Sequence, residues 1–454
     1  MIAIAEFLLP LNPGLWLIIG AFVAILLPQS LSRWFAVIFP ILLIPFLLSL
    51  NFGNHGTVSF LNYQLETFRL DALSRIFGLI FLIASALGNL YAVGDVVDKL
   101  QRCAALIYAG GALAAVFAGD MITLFIFFEI AAVASVFLIW ARRTQKAFSA
   151  GMRYLIVQIG AGVILLTGLL VHLSATGSID FNKIGLHAPG GILIILAFGI
   201  KAAFPLFHNW LQDAYPEATV SGTVILSGFT TKLAIYALAR SYPGTDVLIW
   251  IGAIMTAFPI FYAVIENDLR RVLAYSLNNQ LGFMVVGIGI GTEMALNGTI
   301  SHAFCHILYK ALLFMSMGAV LLRTGTCNGS DLGGLFKTMP WSTSFCIIGA
   351  ASISGFPLFS GFISKSMILT AVSAEGYWGV WLVLLFASAG VFHHSGIKIP
   401  YFAFFAHDSG LRPKEAPWTM LLAMFIAAVF CVGIGVYPAP LYAMLPYLVE
   451  YQPY

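Results

Sequence analysis

The sequence predicts an all-α polytopic membrane protein of about 14 transmembrane helices, and three observations carry that expectation. Of 454 residues, 60% are hydrophobic and only 9% charged, against roughly 25% charged in an ordinary soluble domain. Apolar runs of membrane-spanning length follow one another through the whole chain, and at about 20 residues per span plus connectors of roughly 10 the length accommodates about 15 of them. Six charged side chains fall well inside those runs rather than at their ends or between them. The 19 prolines and 43 glycines do not signal disorder, because membrane helices tolerate both where neighbouring helices satisfy the freed backbone groups.

In chain order the runs are 15–28, 34–50, 72–94, 103–118, 122–141, 152–173, 191–211, 221–240, 246–265, 272–290, 298–322, 342–371, 378–405 and 418–437. The first lacks a basic leader and a small-residue cleavage site, so it reads as a retained helix. The longest connectors, 51–71, 174–189 and 323–341, are too short to fold alone. Connectors after odd-numbered spans hold thirteen Lys and Arg, and those after even-numbered spans hold four. The positive-inside rule therefore predicts cytoplasmic odd connectors and both termini on the non-cytoplasmic side, as in a bacterial-type inner membrane.

The remaining basic residues, Lys201, Lys232, Lys310, Lys365 and Lys398, lie inside predicted spans, together with the acid Glu129. Each charge at the bilayer centre costs about 2.5–3.5 kcal/mol, so these groups must face the protein interior. Snorkelling to the interface suits Lys398, near a span end, far better than Glu129 or Lys232. A mid-span carboxylate needs a cation, and both Lys201 and Lys232 are candidates. A Glu–Lys pair whose separation changes is a proton switch, since each partner's proton affinity depends on the distance to the other.

Phe204-Pro205-Leu206-Phe207 recurs as Phe356-Pro357-Leu358-Phe359, 152 positions on. Proline inside a span removes a donor and breaks the helix, and paired breaks in corresponding halves point to internal repeats with discontinuous helices at a transport site. Because the breaks fall in spans seven and twelve, the halves are five helices each and inverted in the membrane. The expected division is 1–100 for three leading helices, 101–245 and 246–405 for the repeats, and 406–454 for the last helix and tail. Lys398 follows the second break by one span, as Lys232 follows the first.

In the eleventh span His302, His306 and Lys310 recur every four residues, along one helix face. Imidazole passes a proton at one nitrogen while accepting at the other, and an ammonium out of water gives up its proton more readily. The ladder reads as a proton wire ending toward Lys365, with His208, His393, His394 and Lys398 as candidate extensions. Five scattered cysteines (Cys103, Cys305, Cys327, Cys346, Cys431) have neither disulfide nor metal-ligand spacing. Phosphate-binding and dinucleotide-binding loops and iron–sulfur motifs are absent from the sequence, so no cofactor, no metal, no nucleic acid and no bond chemistry are expected.

These residues resemble the antiporter-like membrane subunits shared by Mrp-type Na+/H+ antiporters, complex I NADH-quinone oxidoreductase and membrane-bound hydrogenases. The similarity runs over roughly 100–400. It is densest in Pro205-Leu206-Phe207-His208-Asn209-Trp210-Leu211, Tyr215-Pro216-Glu217-Ala218, Thr231 to Leu238, Lys310-Ala311-Leu312-Leu313-Phe314 and Gly355 to Lys365. The resemblance implies fourteen helices with broken seventh and twelfth members. It also implies a glutamate on helix five (Glu129) paired to Lys201, the eighth-helix Lys232, an eleventh-helix relay of His302, His306 and Lys310, and the twelfth-helix Lys365. The motifs are closer to the D-type member of the Mrp antiporters than to complex I chains. The chain departs from the family at Gln212 and at Ala218-Thr219-Val220-Ser221, and 392–412 has no counterpart in the common pattern. The implied activity is proton movement coupled to a monovalent cation such as sodium, within an assembly of other hydrophobic subunits in the lipid bilayer. The alternative is the proton-pumping subunit of a redox complex, and a weaker third reading is a proton-conducting subunit for some other energised uptake, such as inorganic carbon.

Overall fold

A computed structural model describes residues 11–454; the amino-terminal end, whose sidedness the charge pattern predicts, lies outside the described residues. Fourteen successive helical segments run through them. They are α1 (Pro13–Leu26), α2 (Gln29–Ser49), α3 (Ala72–Val93), α4 (Lys99–Val116), α5 (Met121–Trp140), α6 (Gln145–Thr176), α7a (Gly191–Lys201) with α7b (Asn209–Ala214), and α8a (Val220–Leu226) with α8b (Thr230–Ser241). Then follow α9 (Val247–Ile265), α10 (Leu269–Ile290), α11 (Glu293–Thr324), α12a (Pro340–Ser354) with α12b (Ser360–Ala374), α13 (Trp378–Phe405) and α14 (Trp418–Val436). Nine of these segments or helix pairs are each long and apolar enough to cross a membrane.

Local chemistry sets the boundaries. Asp71, Asp98, Asp120, Thr144 and Thr292 cap the starts of α3, α4, α5, α6 and α11 with side-chain oxygens on free backbone N–H groups. Gly177, Gly291 and Gly325 end α6, α10 and α11 in the left-handed conformation. The hydrophobic window of the α8 pair is 100% buried and that of α11 89%, against 33% for α2 and α13. The central helices are therefore the ones carrying Lys232, His302, His306 and Lys310.

Three elements differ from the sequence expectation. Residues 51–71 form an antiparallel hairpin, β1 (Gly53–Phe60) and β2 (Tyr63–Leu70). It does not stand alone: Arg69 donates its N–H to Phe117 O at 2.7 Å, and Gly119 donates to Glu66 O at 2.8 Å, so β2 is tied to the loop between α4 and α5. As the repeated Phe-Pro-Leu-Phe predicts, span seven is broken after Lys201, with α7b resuming at Asn209, and span twelve is broken between Ser354 and Ser360. The predicted continuous eighth span is also broken, at residues 227–229, where Tyr108 OH accepts the freed Thr230 N–H at 2.9 Å. Finally, α13 winds into two π-helical stretches, Phe392–Ile397 and Tyr401–Phe405.

Candidate functional site

Glu129 sits mid-way along α5, and Lys201 is the last residue of α7a, where the chain leaves the helix for the first break. Lys201 Nζ donates to Glu129 Oε1 at 3.1 Å, with the lysine side chain 1% and the carboxylate 22% exposed. Space for that carboxylate is made by Gly162 of α6: a Cβ there would stand 2.3 Å from Glu129 Oε1. The Phe128 ring lies 4.9 Å from the ammonium and supplies its π face. Of the two cations the sequence offered to Glu129, the structure therefore pairs Lys201.

Lys232 does something different. Its Nζ donates to Ser227 O at 2.6 Å, a carbonyl released by the break in α8. Tyr108, Gln158 and Thr230 line a small gap beside Lys201. Tyr108 OH and Thr230 Oγ1 are 2.7 Å apart, and both polar side-chain atoms of Gln158 are buried without a partner among the described residues.

The ladder on α11 is formed as its spacing predicts. The His302 and His306 rings stack with centroids 6.1 Å apart, and Tyr309 stands edge-on to His306 at 5.3 Å. His302 Nδ1 meets Ser364 Oγ of α12b at 2.9 Å, and Tyr309 OH reaches His302 Nε2 at 3.4 Å and Gln280 Oε1 of α10 at 3.1 Å. Both nitrogens of His306 and the Nζ of Lys310 are buried with no hydrogen-bond partner among the described residues. Lys365 Nζ donates to Ile353 O at 2.7 Å, across the second break. Lys232, Lys310 and Lys365 are all buried, and α11 packs against both α8b and α12b, so these helices bring their polar groups to one buried centre.

The candidate extensions divide. His394 is fully buried on α13, with Nδ1 2.9 Å from Ser395 Oγ. His393 and Lys398 line a separate cavity at the end of α13. Lys398 donates to Ala263, Val264 and Glu266 carbonyls at 3.0, 2.7 and 2.5 Å, so it closes the C-terminus of α9 and does not occupy the place in its half that Lys232 has in the first. His208 lies beyond the first break, edge-on to Phe258 at 4.5 Å, in a pocket with Tyr262 and Tyr275. It is not part of the centre. The sequence reading passed over Tyr108, Gln158, Gln280, Tyr309 and Ser364, which are uncharged; the usable signal was that Tyr309 and Ser364 immediately precede Lys310 and Lys365. The five cysteines are buried and free.

The family model described as NADH:quinone oxidoreductase/Mrp antiporter, TM matches residues 118–393. Hydrogenase-4 component B of Escherichia coli (strain K12) is 27% identical over 419 residues, covering 81% of this chain and 62% of that protein. The D-type subunit of the Na(+)/H(+) antiporter of Alkalihalophilus pseudofirmus is 34% identical over 301 residues, 60% of this chain and 61% of that one. The chain thus spans about three fifths of the length of these two relatives. In the solved Mrp complex from Dietzia sp. DQ12-45-1b, one chain matches with a TM-score of 0.83 at 21% identity, over 96% of both chains. That likeness shows a common fold.

Proposed function

We propose, from the premise that the chain belongs to the NADH:quinone oxidoreductase/Mrp antiporter transmembrane family, that it moves protons for a multi-subunit monovalent cation/proton antiporter. The observation that carries the reading is a mid-span ion pair, Glu129 with Lys201, from which three buried lysines follow that have no carboxylate partner among the described residues: Lys232, Lys310 and Lys365. Unpaired charges in a membrane interior are too costly to keep for packing alone. Groups that can lose and regain a proton remove that cost each time they are neutral.

In this reading Glu129 holds the Lys201 ammonium until a proton neutralises the carboxylate. The freed lysine then passes a proton toward Lys232, and His306, His302 and Lys310 carry it to Lys365 beside the second break. The basic connectors face the cytoplasm of a bacterial-type membrane, both termini face outward, and partner subunits carry the cation path. Residues 101–245 and 246–405 act as the two halves.

Lys232→Arg keeps a charge but cannot release its proton. Sodium-driven proton flux in vesicles holding the native complex is expected to be lost in both Lys232→Arg and Lys232→Ala, with assembly unchanged. Normal flux in either variant removes Lys232 from the path. The likeness to a hydrogenase component over 81% of the chain favours a second reading, a pumping subunit of a redox complex. Co-purification with iron–sulfur or flavin subunits selects that reading over the antiporter.

A further inference from the structure

A chain of hydrogen bonds running from α9 through α10 to α11 decides which nitrogen of His302 is free. It starts at a backbone carbonyl, Thr256 O of α9, which can only accept, so the Asn279 side-chain atom that meets it is the amide Nδ2. Asn279 Oδ1 then faces Gln280 and accepts from Gln280 Nε2 at 2.6 Å. That leaves Gln280 Oε1 as a further acceptor, and Tyr309 OH donates to it at 3.1 Å. A phenol has one proton, so the Tyr309 oxygen offers only a lone pair to His302 Nε2, 3.4 Å away. In the neutral ring the proton therefore sits on Nε2, and Nδ1 is bare.

The other edge of the ring agrees. Ser364 Oγ of α12b lies 2.9 Å from Nδ1, closer than its alternative acceptors Gly361 O at 3.3 Å and Ser360 O at 3.4 Å, so its hydroxyl proton is directed to the bare nitrogen. Asn279, Gln280, His302, Tyr309 and Ser364 are all 0% exposed, so solvent does not compete for these bonds. Three helices thus hold one imidazole in a single tautomer. His306, four residues further along the same face, is the contrast: neither of its nitrogens has a hydrogen-bond partner among the described residues, and nothing of this kind directs its ring.

We propose that Gln280 is a positioning residue for the proton path: acting through Tyr309, it fixes His302 as the Nε2–H tautomer, so that the ring exchanges protons at Nδ1, across Ser364, on the side of α12b. A proton reaching Ser364 Oγ replaces the hydroxyl proton that passes to Nδ1, which leaves the serine unchanged and the ring as an imidazolium; discharge reverses both transfers. The Nε2 side is closed, because the amide carbonyl beyond Tyr309 does not carry a phenol proton onward. The inference rests on the proton-path reading above and assigns the reacting atom of its His302.

The test uses the complex purified from its native membrane and reconstituted in liposomes, with proton flux driven by an imposed sodium gradient. Gln280→Leu takes away the acceptor, so Tyr309 turns its proton to His302 Nε2 and Nδ1 becomes the protonated atom; flux is expected to fall about tenfold, somewhat less than the loss of an acid–base group itself. Adding Tyr309→Phe removes the competing proton, and the double variant is expected to recover to the level of Tyr309→Phe alone, severalfold above Gln280→Leu. Damage to packing would not be relieved by a second truncation. Unchanged flux in Gln280→Leu, no recovery in the double variant, or a Tyr309→Phe flux as low as that of Gln280→Leu overturns the proposal. Should Gln280→Leu fail to assemble, ring 15N–1H correlation NMR of the histidine-labelled wild-type complex gives the second measurement, with the His302 signals identified as those missing from His302→Gln. A protonated Nε2 is expected there, and a protonated Nδ1 overturns the tautomer. Lys232→Ala in the same liposomes keeps the two readings apart. If it conducts normally, the proton path itself falls; if it is inactive while Gln280→Leu conducts as wild type, only the role of Gln280 does.

Discussion

At the break of α7, Ala203 and Leu206 adopt φ of 60° and 73°; at the break of α12, Gly355 and Leu358 adopt 78° and 70°. The hydrogen bonds correspond as well, with Phe204 N–H on Gly199 O at 2.9 Å and Phe356 N–H on Ala351 O at 3.1 Å, 152 residues apart in both donor and acceptor. One local sequence has made one backbone twice. The lysines then diverge. Lys201 precedes its break and takes a carboxylate, Glu129, whereas Lys365 follows its break and takes a carbonyl, Ile353 O, at the position equivalent to Lys201 itself. The ends of the two halves repeat the contrast: Arg240 of α8b pairs with Asp71 at 2.8 Å, and Lys398 of α13 rests on three carbonyls. A cation held by an acid responds to that acid's protonation, and a cation held by a helix end does not. Lys201 and Arg240 are therefore cations whose charge is set by a second titrating group, whereas Lys232, Lys365 and Lys398 rest on carbonyls.

The largest effect should come from breaking the two lysine contacts separately. Lys201→Met leaves Glu129 charged and unpaired at mid-span, at a cost of about 3–5 kcal/mol. Lys365→Met leaves only a carbonyl without its donor, at about 1–3 kcal/mol. Thermal melting of the detergent-solubilised variants is expected to show the first loss clearly exceeding the second, and Glu129→Gln combined with Lys201→Met is expected to recover most of it. Equal losses at the two lysines would mean that Glu129 does not depend on Lys201, and the contrast between the halves would disappear.

The breaks were legible because Pro inside an apolar run has one structural consequence, and the repeated four residues showed it occurring twice. Charges were legible for a similar reason, since Lys or Glu in a span is costly enough to need an explanation. Pairing was not. Glu129 had two cations within plausible reach in the sequence, and the choice depends on Gly162 of a third helix, which clears room for the carboxylate beside Lys201. The break in α8 was missed because Ser227-Gly228 is a weak signal whose outcome turns on Tyr108 accepting a freed N–H from another helix. The hairpin at 51–71 escaped because its strands are stabilised by the loop at 117–119 and not by each other alone.

A smaller effect tests whether the two breaks are equivalent. An L-residue in the left-handed region costs about 1–2 kcal/mol, and glycine relieves that while losing about 0.5–1 kcal/mol to the freer unfolded chain. Leu206→Gly and Leu358→Gly are each expected to stabilise by about 0.5 kcal/mol, because both side chains are exposed and contribute little packing. Melting temperatures that move in opposite directions at the two sites would show that the shared backbone is held by different surroundings.

A pH comparison separates the acid-held from the carbonyl-held cation. Burial pushes the Asp71 carboxyl up, but the charge of Arg240 and its hydrogen bond, with the Ser74 N–H, outweigh this and hold it below the usual carboxylate range. A depressed folded value means that the pair's stability is fully present above about pH 4, the ordinary aspartate value, and is lost as pH falls through the folded one. With Asp71 37% exposed, Asp71→Asn is expected to cost only about 1–2 kcal/mol at neutral pH, discounted from the buried-pair range for solvent screening. Its melting temperature should converge with wild type as the pH is lowered toward 3. Lys398→Met should keep a constant gap over the same range, because backbone carbonyls do not titrate. A gap for Asp71→Asn that stays constant into acid would mean that Arg240 is held by its other contacts, Tyr236 among them, and that the outer ends of the two halves are alike after all.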